Sequence, residues 1–317
     1  MLLMMRTCGF ADVTAEPSKR GVLIKIDGEL FTEYLTKAGQ SPAMWPILGP
    51  TAQPMTRSYP VGPLQKGETD DHPHHQSLWF THDQVNGLDF WKANVNDGKG
   101  DRGPHIAHRE FKEVESLGST ARIVTSNDWM NGDKRICQDE RTILFGTRPN
   151  KDRWIDFTIT IKATDGDVTF GDTKEGTFAV RVADTMRVEA KLGGRIVNSE
   201  GQVDEAAWGQ PAKWVDYTGP VAVAAVSDAG HKETVGIAIL SHPKSFRPIP
   251  RWHVRTYGLF AANPFGERDF PNPEAADQGA HTMKHGETLT LRYRALFHRG
   301  ETDKADIVAA FDEFATE

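Results

Sequence analysis

In the stretch DFTITIKA, Phe157, Ile159 and Ile161 alternate with Asp156, Thr158, Thr160 and Lys162. That period of two is the pattern of a strand with one buried and one wet face. Short apolar-rich runs of strand length recur along the chain as GVLIKIDGELF, HIAHREFKEVES, TARIVTSNDW, RTILFG, RWIDFTITIKA, GTFAVRVAD, VGIAIL and LTLRYRALFH, punctuated by Gly, Pro, Asn and Asp. Their spacing predicts an all-β fold, a large antiparallel β-sandwich, rather than alternating strands and helices. Residues 1–300 are expected to form that one domain. Helical periodicity is clear only afterwards. In TDKADIVAAFDEFA, Ile307, Ala310, Phe311 and Phe314 fall on one stripe, with Thr302 or Asp303 available as an N-cap. Residues 301–317 are therefore expected to be a short C-terminal helix packed on the sandwich, its apolar stripe contributing about 4 to 8 kcal/mol before ordering costs.

Three Pro- and Gly-rich stretches, GQSPAMWPILGP, HPKSFRPIP and NPFGERDFPNPEAADQGA, are too long for hairpin turns and read as loops that wall a site or cover a surface. No internal repeat or low-complexity segment is present.

Charge narrows the function classes. The 317 residues carry a formal net charge of -7 without a dense Lys/Arg run, which argues against a nucleic-acid surface. Cys8 and Cys137 are too few for a disulfide framework or a zinc ribbon and read as free thiols. The opening MLLMMRTCGF is apolar for only five residues before Arg6, short of a secretory apolar core, and no later run reaches the roughly 18 residues of a membrane span. These features predict a cytoplasmic protein with no membrane partner; they leave its oligomeric state open.

The chemistry-bearing residues cluster in two places. DHPHHQSLWF packs three of the twelve histidines into four positions. Read as a strand from His74 onward, it places His74 and His82 on one face and His75 on the other, with His74 and His82 about 26 Å apart if the strand is straight. The following THDQVNGLDFW carries Asn86-Gly87, a strong two-residue hairpin signal. A two-residue turn pairs His82 with Trp91 and Gln84 with Asp89, so His82, Gln84, Asp89 and Trp91 would share a face that hydrogen-bonds hydroxyls while a sugar ring stacks on the indole. The second place is RWHVRTYGLF. As a strand it presents His253, Arg255 and Tyr257 on one face: an acid/base group, an anion clamp and a further proton donor. Carboxylates come from Glu175 in KEGTFAVRV, Asp216 in KWVDYTG and Glu140 in DERTILF, each beside an apolar run that would raise its pKa. Trp214 lies on the strand face of Asp216 as a stacking platform. No nucleophile elbow, P-loop or dinucleotide fingerprint occurs, which disfavours phosphoryl transfer and nicotinamide chemistry.

Taken together, DHPHHQSLWFTHDQVNGLDFW, KEGTFAVRVAD, KWVDYTG, WHVRTYGLFAANPFG and YRALFHRG resemble, in that order, the bacterial PmoA-like family, whose members often carry the label methane oxygenase. At the level of fold the chain is also similar to the galactose-mutarotase-like supersandwiches, which implies a concave sheet that binds sugars and enzymes that use His with a carboxylate.

Three functions stay open on these grounds. The first is a carbohydrate-acting lyase, hydrolase or epimerase. Its acid/base would be His253, with Arg255 and Tyr257 stabilising negative charge, Glu175 as a further catalytic group, and His74, His75, His82, Asp89, Trp91, Trp214 and Asp216 contacting a small-molecule carbohydrate. The second is a non-catalytic sugar-binding module. The third, implied by the PmoA-like label, is a metal-dependent oxygenase with a two-His, one-carboxylate site drawn from His74 or His75, His253 and Glu175. The sequence requires no cofactor, although a divalent metal is compatible with it.

Overall fold

The computed structural model describes residues 11–92, 102–222, 232–272 and 278–317. The N-terminal segment with Cys8 lies outside the described residues. In chain order the strands are β1 (Val13–Pro17), β2 (Gly21–Ile26), β3 (Glu29–Ala38), β4 (Ser41–Ile47), β5 (Leu78–His82), β6 (Pro104–Ser116), β7 (Thr120–Asn131), β8 (Lys134–Thr147), β9 (Arg153–Lys162), β10 (Val168–Phe170), β11 (Gly176–Arg181), β12 (Arg195–Asn198), β13 (Trp214–Ala222), β14 (Lys232–Ser241), β15 (Arg251–Val254), β16 (Leu259–Asn263), β17 (His281–Met283) and β18 (Thr288–Arg299). One helix, α1 (Ile307–Thr316), follows.

Two eight-stranded antiparallel sheets make the sandwich. The first runs β1-β2-β3-β4-β5-β11-β16-β15 and the second β12-β13-β14-β18-β9-β8-β7-β6, with β10 and β17 forming a separate ribbon. The fold class expected from strand spacing is the one observed.

Period-2 alternation builds the core between the sheets. Phe80 of β5 and Phe178 of β11 point inward, and Phe157 of β9 meets both, at ring-centroid distances of 5.9 and 5.0 Å; Tyr293 of β18 stacks on Phe178 at 5.1 Å. Offset ring pairs of this kind add to the area they bury. The intervening residues, Trp79, Ala179 and Ala261, face the other way and join Leu35, Ala43, Trp91 and Leu259 in a second apolar cluster on the outer side of the first sheet. Strands β5, β11, β15 and β16 are buried along their whole length, so loops roof that outer face.

Helix α1 roofs the outer face of the second sheet. Ile307, Ala310 and Phe314 are buried with Trp214, Ala238, Leu240 and Leu296, and Phe311 is partly buried against them. The cap differs from expectation. Asp306, not Thr302 or Asp303, accepts from the Ala309 backbone N–H, because residues 302–305 form a turn before the helix begins. Deleting the chain from Asp303 uncovers this apolar face and is expected to lower the melting temperature by several degrees, measured by calorimetry; an unchanged value would refute the packing role.

Other expectations also need correction. GQSPAMWPILGP contains β4 despite its prolines; β4 pairs with β3 only through interrupted registers and with β5 at two positions, so few N–H groups are asked of it. HPHH is not in a strand: His72 and Ser77 have φ of 45° and 62°, which turn the chain back before β5 starts at Leu78. RWHVRTYGLF is a hairpin, β15 and β16 joined through Arg255–Gly258, with the Arg255 N–H donating to the Leu259 carbonyl and Gly258 at φ 103°. The Asn86-Gly87 turn forms as expected, closed by mutual backbone bonds between Val85 and Leu88, but the expected pairing does not continue beyond it: the Gln84 carbonyl accepts from Gly171 and the His82 carbonyl from Phe90.

Candidate functional site

The register of the first sheet sets the floor. Ala43, Trp79, Ala179, Ala261 and His253 lie side by side across β4, β5, β11, β16 and β15 on the outer face. Three alanines in that row leave the floor low, and the groups above it come from loops.

The segment before β5 supplies the first wall. Asp71 Oδ1 accepts from Arg57 Nη1 at 2.5 Å and Arg181 Nη2 at 2.9 Å, while Asp71 Oδ2 meets His72 Nδ1 at 2.7 Å. Partial burial opposes ionisation of Asp71. Arg181, the bonds from His72 and Thr69, and Arg57 prevail and hold its carboxyl well below the usual range. Arg181 Nη1 also donates to His75 Nδ1 at 3.2 Å. Burial first, then His74 and Arg181, push the His75 pKa well below 6.5, so it stays neutral. His75 stacks on Trp79 at 5.6 Å, and Trp91 lies 5.3 Å from Trp79. His74, its pKa lowered to about 4 chiefly by burial, lies 4.4 Å from His75. His74 Nδ1 and the indole nitrogens of Trp79 and Trp91 are buried without a hydrogen-bond partner among the described residues.

Tyr257 links this wall to the next. Its ring stacks on His72 at 5.0 Å and receives the guanidinium carbons of Arg181 and Arg255 at 5.2 and 5.7 Å. Burial first pushes the Tyr257 hydroxyl up to about 12, so it remains a proton donor at neutral pH.

The second wall centres on His253, 3% exposed. Trp208 Nε1 donates to His253 Nδ1 at 3.0 Å, which leaves the imidazole proton on Nε2. Burial, then Arg255, Lys174 and His72, lower the His253 pKa to about 3. Its Nε2 lies 3.9 Å from Glu175 Oε2, beyond hydrogen-bond reach, with the Glu175 side chain 15% exposed. Phe270 closes the back, 6.0 Å from His253 and 5.7 Å from Trp208. Gly209, at φ 71°, permits this: a Cβ there would come 2.5 Å from Pro271 Cδ and 2.8 Å from Phe270 Cδ1.

Imidazole 15N resonances provide a direct check. Wild-type His253 is expected to show one tautomer, protonated at Nε2, without titrating between pH 8 and 5; Trp208→Phe is expected to release a mixture of both. Titration near pH 6.5 in the wild type would refute the assignment.

His74, His75, Glu175, His253, Arg255, Tyr257 and Trp91 thus lie on one face of one sheet. Four other expected site residues do not. His82 points to the inner face, with Nε2 2.9 Å from the Gly171 carbonyl and its ring 5.1 Å from Phe265, because it alternates with Thr81 and shares the parity of Phe80. Asp89 accepts from the Lys92 N–H and caps its own turn. Trp214 is packed under α1, and Asp216 is fully buried on the far side of the second sheet, 3.0 Å from His298 Nε2. Glu140 is exposed on β8 and pairs with Lys112. Cys137 is buried and free, its pKa raised well above 9.0, first by burial.

The four candidate metal ligands do not gather into a ligand set. Among the described residues no three His, Cys, Asp or Glu side chains are placed to hold a metal ion, and His75 Nδ1 already accepts from a guanidinium. An oxygenase site of two histidines and a carboxylate does not fit this geometry. Among the described residues, no helix is long and apolar enough to cross a membrane.

Fold and site define a two-sheet antiparallel sandwich with its polar chemistry on the outer face of one sheet. The chain belongs to the DUF6807 family, a family of unknown function, whose profile matches residues 21–312. That description names no activity and lends no support to the methane-oxygenase label. No curated protein matches the sequence. Among solved structures, the chain is similar to a GalM/aldose epimerase homologue from C. elegans (8% identity, 92% of this chain and 100% of that one, TM-score 0.33) and to a galactose mutarotase-like protein from Lactobacillus casei (10%, 90% and 97%, TM-score 0.33). A polysaccharide lyase aligns over 94% of this chain and 34% of its own (12% identity, TM-score 0.31). Likeness at this level decides nothing about chemistry.

Proposed function

We propose that this protein is a carbohydrate-acting enzyme that moves a proton on a sugar or oxidised glycoside, with Glu175 as the group that takes and returns the proton. The observation that carries the reading is the 3.9 Å gap between Glu175 Oε2 and His253 Nε2. An acceptor and a fixed N–H donor face one another there without being bonded to each other. A sugar hydroxyl bridging them would donate to the carboxylate and accept from the imidazole N–H.

The roles follow from protonation states. With its pKa lowered to about 3, His253 is a neutral donor at pH 7 rather than a base. This revises the acid/base role expected for it. The Tyr257 hydroxyl and the Arg255 guanidinium stabilise negative charge on a substrate oxygen. Trp208, Tyr257 and the Trp79/Trp91 pair supply aromatic walls of the kind on which sugar rings stack.

The experiment is a proton-NMR screen of aldoses, keto-sugars, uronates and their glycosides for anomerisation, epimerisation, elimination or hydrolysis, at enzyme concentrations from micromolar upward. Turnover of at least one sugar class, lost in Glu175→Gln, supports the reading. Binding of sugars with no turnover of any of them would instead identify a non-catalytic sugar-binding module.

A further inference from the structure

We infer that the ligand of this face is an acid sugar whose carboxylate is bound by Arg255, an assignment that rests on the carbohydrate reading above and names its substrate class. Arg255 differs from the other arginines around the site. Arg57 and Arg181 share Asp71. In the neighbouring polar cavity of about 380 Å³, Arg247 donates to four backbone carbonyls and Arg251 to three, with Glu267 as its ion pair. Those groups are committed to holding loops. The Arg255 guanidinium, by contrast, makes no hydrogen bond or ion pair among the described residues. It is held over two rings, 5.1 Å from the centroid of Trp208 and 5.7 Å from that of Tyr257. Ring contacts fix a guanidinium by its face and leave its in-plane N–H donors free, the arrangement that suits a planar, two-oxygen acceptor.

Charge balance points the same way. Arg57 and Arg181 share the carboxylate of Asp71, and Lys174 pairs with Glu175, which leaves Arg255 without an ion-pair partner among the described residues. Asp184 is already paired with Arg187. In a chain of net charge -7, Arg255 is thus a cation held at this face whose counter-charge a bound anion would supply. The same cations contribute to the low pKa values of His74, His75 and His253, which puts three neutral imidazoles rather than three cations beside the bound anion. Arg255 adjoins His253, so a carboxylate seated on it brings the adjoining sugar carbons to the Glu175–His253 gap. A neutral sugar would leave a half-buried guanidinium without an acceptor.

The test measures affinity by titration calorimetry for matched pairs, galactose with galacturonate and glucose with glucuronate, and for glucose 6-phosphate, in wild type, Arg255→Gln and Arg255→Lys. Wild type is expected to bind the better uronate at least about tenfold more tightly than its neutral partner. The preference should shrink in 0.5 M salt, disappear in Arg255→Gln, and survive in part in Arg255→Lys. Because Arg255 holds no loop by hydrogen bonds, both variants should melt near wild type; if Arg255→Gln does not, the Lys variant and the salt dependence decide. Equal binding of both members of each pair, a preference that survives Arg255→Gln, or tighter binding of the phosphate would overturn the assignment and leave the carbohydrate reading standing. If neither neutral nor acid sugars bind, the carbohydrate reading fails, and this assignment with it.

Discussion

Replacing Glu175 by glutamine is expected to lower turnover about 100- to 10,000-fold while changing sugar affinity far less. The substitution keeps shape and hydrogen-bonding length and removes only the ability to take a proton. Neither His253 nor Tyr257 can substitute for it. His253 Nδ1 is occupied by the Trp208 N–H and its Nε2 already carries a proton, so the imidazole has no free lone pair to offer. The Tyr257 hydroxyl, pushed up to about 12, is a donor at any pH at which the protein works. Steady-state kinetics with the sugar identified by NMR, together with calorimetric binding, separate the outcomes. Glu175→Gln turning over within about threefold of wild type would remove Glu175 from the chemistry.

The second large effect concerns stability. Asp71→Asn is expected to lower folding free energy by about 2 to 3 kcal/mol. Loss of one partner from a fully buried ion pair costs about 3 to 5 kcal/mol, and the figure is reduced because the Asp71 side chain is 38% exposed and partly screened by water. Arg57 and Arg181 are each 0% exposed, and each disfavours the other's charge. Without the carboxylate, two buried guanidinia lose the counter-charge they share, and the nearby acid acting on Arg181 is Asp184, already paired with Arg187. The pH dependence has a definite sign. Asp71 has a folded pKa below its unfolded value of about 3.9, so the unfolded state takes up the proton first as pH falls. Its stabilisation is fully present above about pH 4 and is lost as pH drops towards the folded value. Urea titrations between pH 7 and pH 2.5 should therefore show wild type losing more stability on acidification than Asp71→Asn. Parallel pH profiles for the two proteins would refute the role.

Sequence alone gave the architecture because strands buried on one side write their period into the residue order, as β9 and β18 do. It was less informative where a residue's surroundings come from elsewhere in the chain. Asp71 and Arg181 are 110 positions apart, and nothing local to Asp71 announces the pair. A local signal does exist at the other end of the pair: Arg181 stands in the apolar run TFAVRV, where a buried charge demands a partner. Trp208 gave no warning of its bond to His253, since it follows a short 3-10 turn in an irregular segment. His253, Arg255 and Tyr257 do lie on one face, but a straight strand through them overlooks Gly258, whose positive φ closes a hairpin. Trp214 and Asp216 failed for the opposite reason: alternation placed them on one strand face without saying which side of which sheet that face belongs to.

The row of neighbours across β4, β5, β11, β16 and β15 has a consequence for how the molecule comes into being. Strand β11 is paired with β5 on one side and β16 on the other, so the face draws on segments that begin near residue 43 and end near residue 257. A chain emerging from the ribosome holds the aromatic wall, then Glu175 and Arg181, and lacks His253 until most of the sequence has been made. Pairings between such distant segments form slowly, in the millisecond-to-second range typical of non-local β topologies. During that interval the outer faces of Trp79 and Ala179 are uncovered and open to premature association. The hairpin of β15 and β16 completes this face, and β18, an interior strand of the second sheet, is made later still, so the site is built only after most of the chain has been synthesised.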